Sequence, residues 1–192
     1  MKLKLSLLAI PALLATAAYG APIGYRADLS GLNESPVNAS PGFGFAIVTF
    51  DVVAHTLRVQ VSFSDLEAGN TAAHIHCCTA PPFTGTAAVA TITPTFTGFP
   101  SGTTAGTYDH IFDTTQASTY RAGFLSGFGG STALAEAALA AGMANGEAYL
   151  NIHSSVYPGG EIRGFLMAAP EPATLSLVGV ALAGLALLRR KR

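Results

Sequence analysis

Two short stretches carry the side chains best suited to chemistry, His74-Ile75-His76 and Asn151-Ile152-His153. On an extended strand alternate residues face the same way, so His74 and His76 share one face while Ile75 enters the other. Two such imidazoles are a common half of a transition-metal site. In the second stretch Leu150 and Ile152 pack inward and leave Tyr149, Asn151 and His153 opposite, so His153 supplies a third ligand if the two strands are neighbours. Copper or zinc bonds near 2 Å then require the ring nitrogens of His74, His76 and His153 to lie within about 3 to 4 Å of one another. The competing reading is that these histidines only hydrogen-bond nearby backbone or carboxylates, as strand histidines often do.

Cys77 and Cys78, the only cysteines, follow directly. Three readings stay open for them. As thiolates they are softer ligands beside the histidines and favour copper or zinc; as a vicinal disulfide they need a tight turn, because adjacent strand residues point to opposite faces; or they are two partly buried thiols. Pro81-Pro82 marks a loop beginning at the pair, which favours the disulfide. Further on, Tyr157-Pro158-Gly159-Gly160 reads as a tight turn that returns the chain beside the strand holding His153. Glu161 and Arg163 then share a face, either as an exposed pair worth under about 1 kcal/mol or, with Asn151, as groups that orient a histidine or bind a ligand carboxylate. His55 in a turn and His110 in a strand read as surface residues. There is no Gly-x-Ser-x-Gly elbow and no carboxylate pair for glycoside hydrolysis, so no catalytic residue is assigned.

The elements that must position these groups are mostly strands. Leu57, Val59, Val61 and Phe63 alternate with Arg58, Gln60 and Ser62, the period of a half-buried strand. Gly42 to Asp51 reads as its partner, joined through the short Val53–Thr56 link, and Tyr25, Ala27 and Leu29 start the domain. Further strands are expected at Ala72–Cys77, Ala87–Thr93, Tyr108–Phe112, Glu147–His153 and Glu161–Met167. Two helices interrupt them: one over Ala117–Phe124 behind the capping-box spacing Asp113-Thr114-Thr115-Gln116, and one capped by Ser131 and stopping at Gly142. The expected fold is mainly β, an antiparallel β-sandwich or partly closed barrel with one or two short helices, plus a C-terminal apolar helix.

The two ends read differently from the middle. Lys2 and Lys4, an apolar run to about Ala15 and small residues up to Ala21 form a secretory signal peptide over residues 1–20. At the other end Pro170-Glu171-Pro172 precedes an apolar stretch, Thr174 to Leu188, and a basic cluster, Arg189-Arg190-Lys191-Arg192. At about 1.5 Å per helical residue the apolar stretch reaches roughly 22 Å, a short transmembrane helix extended by snorkelling arginines, and the cations hold its end on the cytoplasmic side. Between Ala21 and Ala169 there is no lysine, and four arginines face ten carboxylates, a net charge of −6. That excludes a nucleic-acid partner, a Walker-type phosphate loop and Schiff-base chemistry. Residues 21–168 are enough for one core and form one domain.

Two resemblances follow from particular motifs. The Pro-Glu-Pro triplet, short apolar helix and basic end of residues 169–192 resemble a PEP-CTERM sorting tail, which implies recognition by an exosortase-type membrane protease, transient anchorage in the inner membrane, and a final place in the cell envelope or outside it. The segment Tyr25-Arg26-Ala27-Asp28-Leu29-Ser30-Gly31-Leu32-Asn33-Glu34 with Pro36-Val37, then Thr71 to His76, Tyr149 to His153, and Pro158-Gly159-Gly160-Glu161-Ile162-Arg163-Gly164 together resemble the CHRD domain, named from chordin. That resemblance implies an extracellular β-domain without an established enzymatic activity. A more distant likeness to copper-zinc superoxide dismutase rests on the His-x-His strand alone; only His55 and His110 remain as further histidines, and widely spaced cysteines are lacking.

Three functions are therefore weighed: a non-enzymatic surface or matrix protein binding a metal through His74, His76 and His153; a copper- or zinc-dependent redox enzyme using the same ligands; and a purely structural or adhesive domain. An extracellular polysaccharide or protein is the expected partner class for the exposed domain.

Overall fold

The computed structural model describes residues 22–169, together with Gly179 and Leu182, both helical. The strands are β1 (Ile23–Ser30), β2 (Phe43–Asp51), β3 (Thr56–Ser64), β4 (Asn70–His76), β5 (Gly106–Asp113), β6 (Tyr149–Ser154), β7 (Ile162–Phe165) and β8 (Met167–Ala168). Two helices, α1 (Ala122–Gly127) and α2 (Thr132–Ala144), lie between β5 and β6. The strands form one antiparallel sheet in the order β4-β6-β7-β1-β2-β3-β5, with β8 added to β1, curled into an open half-barrel. Of the two expected architectures, the partly closed barrel is the one adopted.

The alternation of β3 dictates its place. Leu57, Val59, Val61 and Phe63 are buried while Arg58 and Ser62 are exposed, each such burial contributing about 1.5–3 kcal/mol. A period of two fixes the register against β2, where Val48 faces Val59 and Ala46 faces Val61. The β2–β3 turn is closed by Asp51, whose Oδ1 accepts from the backbone N–H of Val53 and of Ala54, each at 2.9 Å. Inside the curl the core is completed by Phe96 and Phe99 from the long β4–β5 connection and by Ala135, Leu139 and Met143 of α2.

Four expected elements are corrected. Ala87–Thr93 is not a strand and makes only two isolated bridges, His76 to Val89 and Thr91 to Tyr120. It does run along the free edge of β4 with some backbone bonds, Cys77 N to Ala88 O (3.1 Å) and Ala90 N to Ile75 O (2.9 Å), but two β4 amides go to hydroxyls: Thr91 Oγ1 accepts from Ile75 N (3.0 Å) and Thr95 Oγ1 from Ala73 N (2.9 Å). The helix expected over Ala117–Phe124 splits into a 3-10 turn, Ala117–Thr119, and α1. Tyr120 between them is held extended by its bridge to Thr91, and Asp113 Oδ1 accepts from the near Thr115 N–H (2.8 Å). Glu161–Met167 is broken into β7 and β8 where Leu166 N turns to Ala148 O (2.9 Å).

Ser131 does cap α2, accepting from Leu134 N at 3.3 Å, yet the helix continues through Gly142 to Ala144. Gly142 is a packing position. A Cβ there would collide with Cys77 Sγ and come within 2.5 Å of Cys78 Sγ. The expected C-terminal apolar helix and the signal peptide lie outside the described residues, Gly179 and Leu182 apart.

A candidate metal centre on strands β4 and β6

Strands β4 and β6 are neighbours, with Ala72 opposite His153, His74 opposite Asn151 and His76 opposite Tyr149. This register places the three imidazoles on one face, with centroids 5.9 Å (His74 to His76), 5.3 Å (His74 to His153) and 5.9 Å (His76 to His153) apart. Ile75, Leu150 and Ile152 enter the core on the other face, as alternation requires. The histidine face is also covered: His74 and His76 are only 6% and 8% exposed.

Each ring has one nitrogen committed to a backbone carbonyl. His74 Nε2 donates to Pro94 O (2.6 Å), His76 Nδ1 to Ala87 O (2.9 Å) and His153 Nδ1 to Pro158 O (3.0 Å). A carbonyl can only accept, so the proton sits on those nitrogens and the other nitrogen of each neutral ring keeps its lone pair. Those remaining atoms, His74 Nδ1, His76 Nε2 and His153 Nε2, are buried without a partner. Burial pushes His74 and His76 down to about 4, against the raising effect of their carbonyl bonds, and also lowers His153. Near neutral pH all three rings are uncharged.

One ring nitrogen from each residue lies within 4.8 Å of the others. That is wider than the roughly 3 to 4 Å separation a bound zinc or copper needs, and the rings must close by on the order of 1 Å. The donor set otherwise fits: three neutral imidazoles, each oriented by a carbonyl on its far nitrogen, is the arrangement that fixes tautomer and ring direction in metal sites. An orphaned buried acceptor costs about 1–3 kcal/mol, and three at one place are relieved together by a cation.

The carbonyls come from irregular backbone. Residues 87–95 meet β4 through backbone bonds, such as Ala90 N to Ile75 O (2.9 Å), mixed with threonine hydroxyls, and along this segment Ala87 O and Pro94 O face the rings. Tyr149 steadies one of them: it stacks on His76 at 4.8 Å, accepts from Ala87 N (3.2 Å) and donates to Ala87 O (3.2 Å). Arg163 caps Tyr149, with its guanidinium carbon 4.7 Å from the ring centroid.

The other sequence-derived candidates disperse. Cys77 and Cys78 are joined in a disulfide, and neither sulfur belongs to the histidine group. Arg163 is buried, donating from Nε to Asn33 O (2.6 Å) and from Nη1 to Gly85 O (3.1 Å). Glu161 is buried too, its Oε1 accepting from Ser40 Oγ and from Glu67 N, both at 2.6 Å. They are not an exposed surface pair, because separate loops fold over each of them. Asn151 lies across from His74 with Oδ1 unpartnered. His55 joins Glu136 of α2 (2.9 Å), and His110 packs beside Phe112 (4.5 Å). Pro170, Glu171 and Pro172 lie outside the described residues. Sequence reasoning gave no role to Glu34, and its only signal was its place in the Leu32-Asn33-Glu34 motif, which has no periodicity to read.

A small curled β-domain with a histidine cluster at one end of its sheet is the class these features define. The sequence model of the CHRD domain matches residues 25–166, and the chain belongs to the CHRD family. The PEP-CTERM protein-sorting motif matches residues 168–192. No curated protein and no solved structure matches the chain. The sorting motif marks an exported protein that is transiently anchored in the membrane, handled by exosortase-type machinery and sorted to the envelope. Among the described residues no helix is long and apolar enough to cross a membrane.

Proposed function

We propose that the chain is a non-enzymatic surface or matrix protein whose CHRD domain holds one transition-metal ion, copper or zinc, between His74, His76 and His153. The observation that carries this reading is the set of three buried, unpartnered ring nitrogens on neutral imidazoles, each aligned by a carbonyl behind it. The ion would be bound for stability or display, and the signal peptide (1–20) and tail (169–192) would deliver the domain (21–168) to the cell exterior.

Elemental analysis of the purified full chain tests it. One copper or zinc per chain is expected, lost in a His74→Ala, His76→Ala double variant that keeps its circular dichroism spectrum. A metal-free wild type after dialysis against either ion leaves the structural or adhesive reading instead. Turnover of superoxide or peroxide by the metal-loaded chain, abolished by the same substitutions, would replace display with redox catalysis.

A further inference from the structure

The domain ends beside the place where it begins. Strand β8 runs antiparallel to β1, with Ala168 opposite Tyr25, and Ala169 N donates to Gly24 O at 2.8 Å. On the other side of β1, Thr49 of β2 stands opposite Gly24 and Phe50 opposite Ile23. The sorting tail therefore leaves the domain heading in the direction in which the β2–β3 turn projects.

That turn does not carry ordinary turn residues. Tight turns favour Gly, Asn and Asp, whereas this one has Val52-Val53, 46% and 63% exposed, and Ile23 at the same end of β1 is 47% exposed. Its polar groups are tied back to the domain: Asp51 Oδ1 accepts from the N–H of Val53 and of Ala54, and His55 Nδ1 meets Glu136 of α2. What the turn offers outward is a pair of apolar, β-branched side chains.

Distance decides what can cover them. From Ala169 to Thr174, where the apolar stretch of the tail opens, there are five residue steps, a span of at most about 18 Å. The headgroup layer takes up about 5–7 Å of that span, which leaves at most about 13 Å between Ala169 and the bilayer surface. The turn reaches roughly 10 Å beyond Ala169, because Asp51 lies two residues further along the ladder and the apex about one more, at about 3.3 Å each. Only a fully stretched link holds the tip short of the headgroups. We infer that, while the tail is anchored, Val52 and Val53 rest in the headgroup layer of the bilayer. With the tail they form a two-point attachment that turns this end of the sheet toward lipid and the far end of β1 outward. Tethering supplies the local concentration that lets so small an apolar contact persist. The inference rests on the sorting tail and is independent of the histidine centre.

Cys77 and Cys78 pair with each other and no other cysteine is present, so a single added thiol can be labelled selectively. A fluorophore is placed through Ala54→Cys in the turn or through Leu32→Cys at the far end of β1, in the full chain inserted into phosphatidylcholine vesicles. A nitroxide quencher on the lipid headgroups should remove about half or more of the emission at position 54 and almost none at position 32. Adding Val52→Ser and Val53→Ser, both at exposed positions, should restore the emission at 54 while the circular dichroism spectrum stays unchanged. Equal quenching at the two positions overturns the inference. So does quenching at 54 that survives the serine substitutions, which would show proximity imposed by the tether alone. Emission at 54 that changes with the protein-to-lipid ratio and not with the quencher would assign the valines to a second copy of the chain instead. A full chain that does not float with the vesicles removes the tether and the inference with it.

Discussion

The hairpin end of the sheet, β1-β2-β3-β5, and the histidine end, β4-β6-β7, obey the same alternation and differ in what lies over their outer faces. At the hairpin end the outer face meets solvent: Ile47 is 41% exposed, and Arg58 pairs with Asp109 across the surface at 2.6 Å. At the histidine end the outer face lies under the 77–95 connection and the loop around Asn33. There Tyr149 is 2% exposed, and His74, Asn151 and Arg163 are buried with it. The second region is therefore a second interior, and a polar one. Polar groups placed there must find partners, and the few atoms left without one belong to the three histidines, Glu34, Asn151 and Glu161.

The largest effect separating the two ends should come from pH in the metal-free chain. Burial holds His74 and His76 at about 4, below the ordinary 6.5, so between those values the unfolded chain binds more protons than the folded one. Stability is full above about pH 6.5 and falls as pH drops toward 4, with a slope of up to about 1.4 kcal/mol per pH unit for each histidine. Urea midpoints across that range check it, and a flat profile would mean that the rings are not desolvated. Next in size, Tyr149→Ala should cost about 3–5 kcal/mol, whereas Ile47→Ala on the same outer face at the hairpin end should stay within about 0.5 kcal/mol. Equal losses would erase the distinction between the covered and open faces.

Thr91→Val should cost about 1–3 kcal/mol, because it strips the acceptor from the buried Ile75 N–H. It should also speed hydrogen exchange at Ile75, while amides of the β2–β3 ladder stay protected. The smallest effect belongs to Arg58→Ala: its partner Asp109 is an exposed carboxylate, and the thermal midpoint should not move measurably in 0.15 M salt.

The hairpin end was the more legible of the two. Leu57, Val59, Val61 and Phe63 announce a strand with one wet face, and Asp51 with the short link behind it closes a hairpin. The histidine pattern was legible to the same depth: alternation put His74, His76 and His153 on one face of neighbouring strands. What escaped is nonlocal. Residues 87–93 carry strand-like composition yet serve as an irregular edge cover, in which backbone bonds to β4 alternate with hydroxyls of Thr91 and the following Thr95 that take the Ile75 and Ala73 amides. Gly142 reads as a helix stop and is instead the gap that admits the Cys77–Cys78 disulfide against α2.

By itself the sequence determined most of the strands, the shared face of the three imidazoles, the acidic lysine-free domain and the sorting tail, because side-chain direction and charge depend on residue type and on near neighbours in the chain. Only the tertiary structure decided which ring nitrogen stays free. Pro94 lies 20 residues from His74, and Ala87 lies 11 from His76. No periodicity links a ring to a carbonyl brought over it by a loop, and it is that carbonyl, by taking one proton-bearing nitrogen, that leaves the other with a free lone pair.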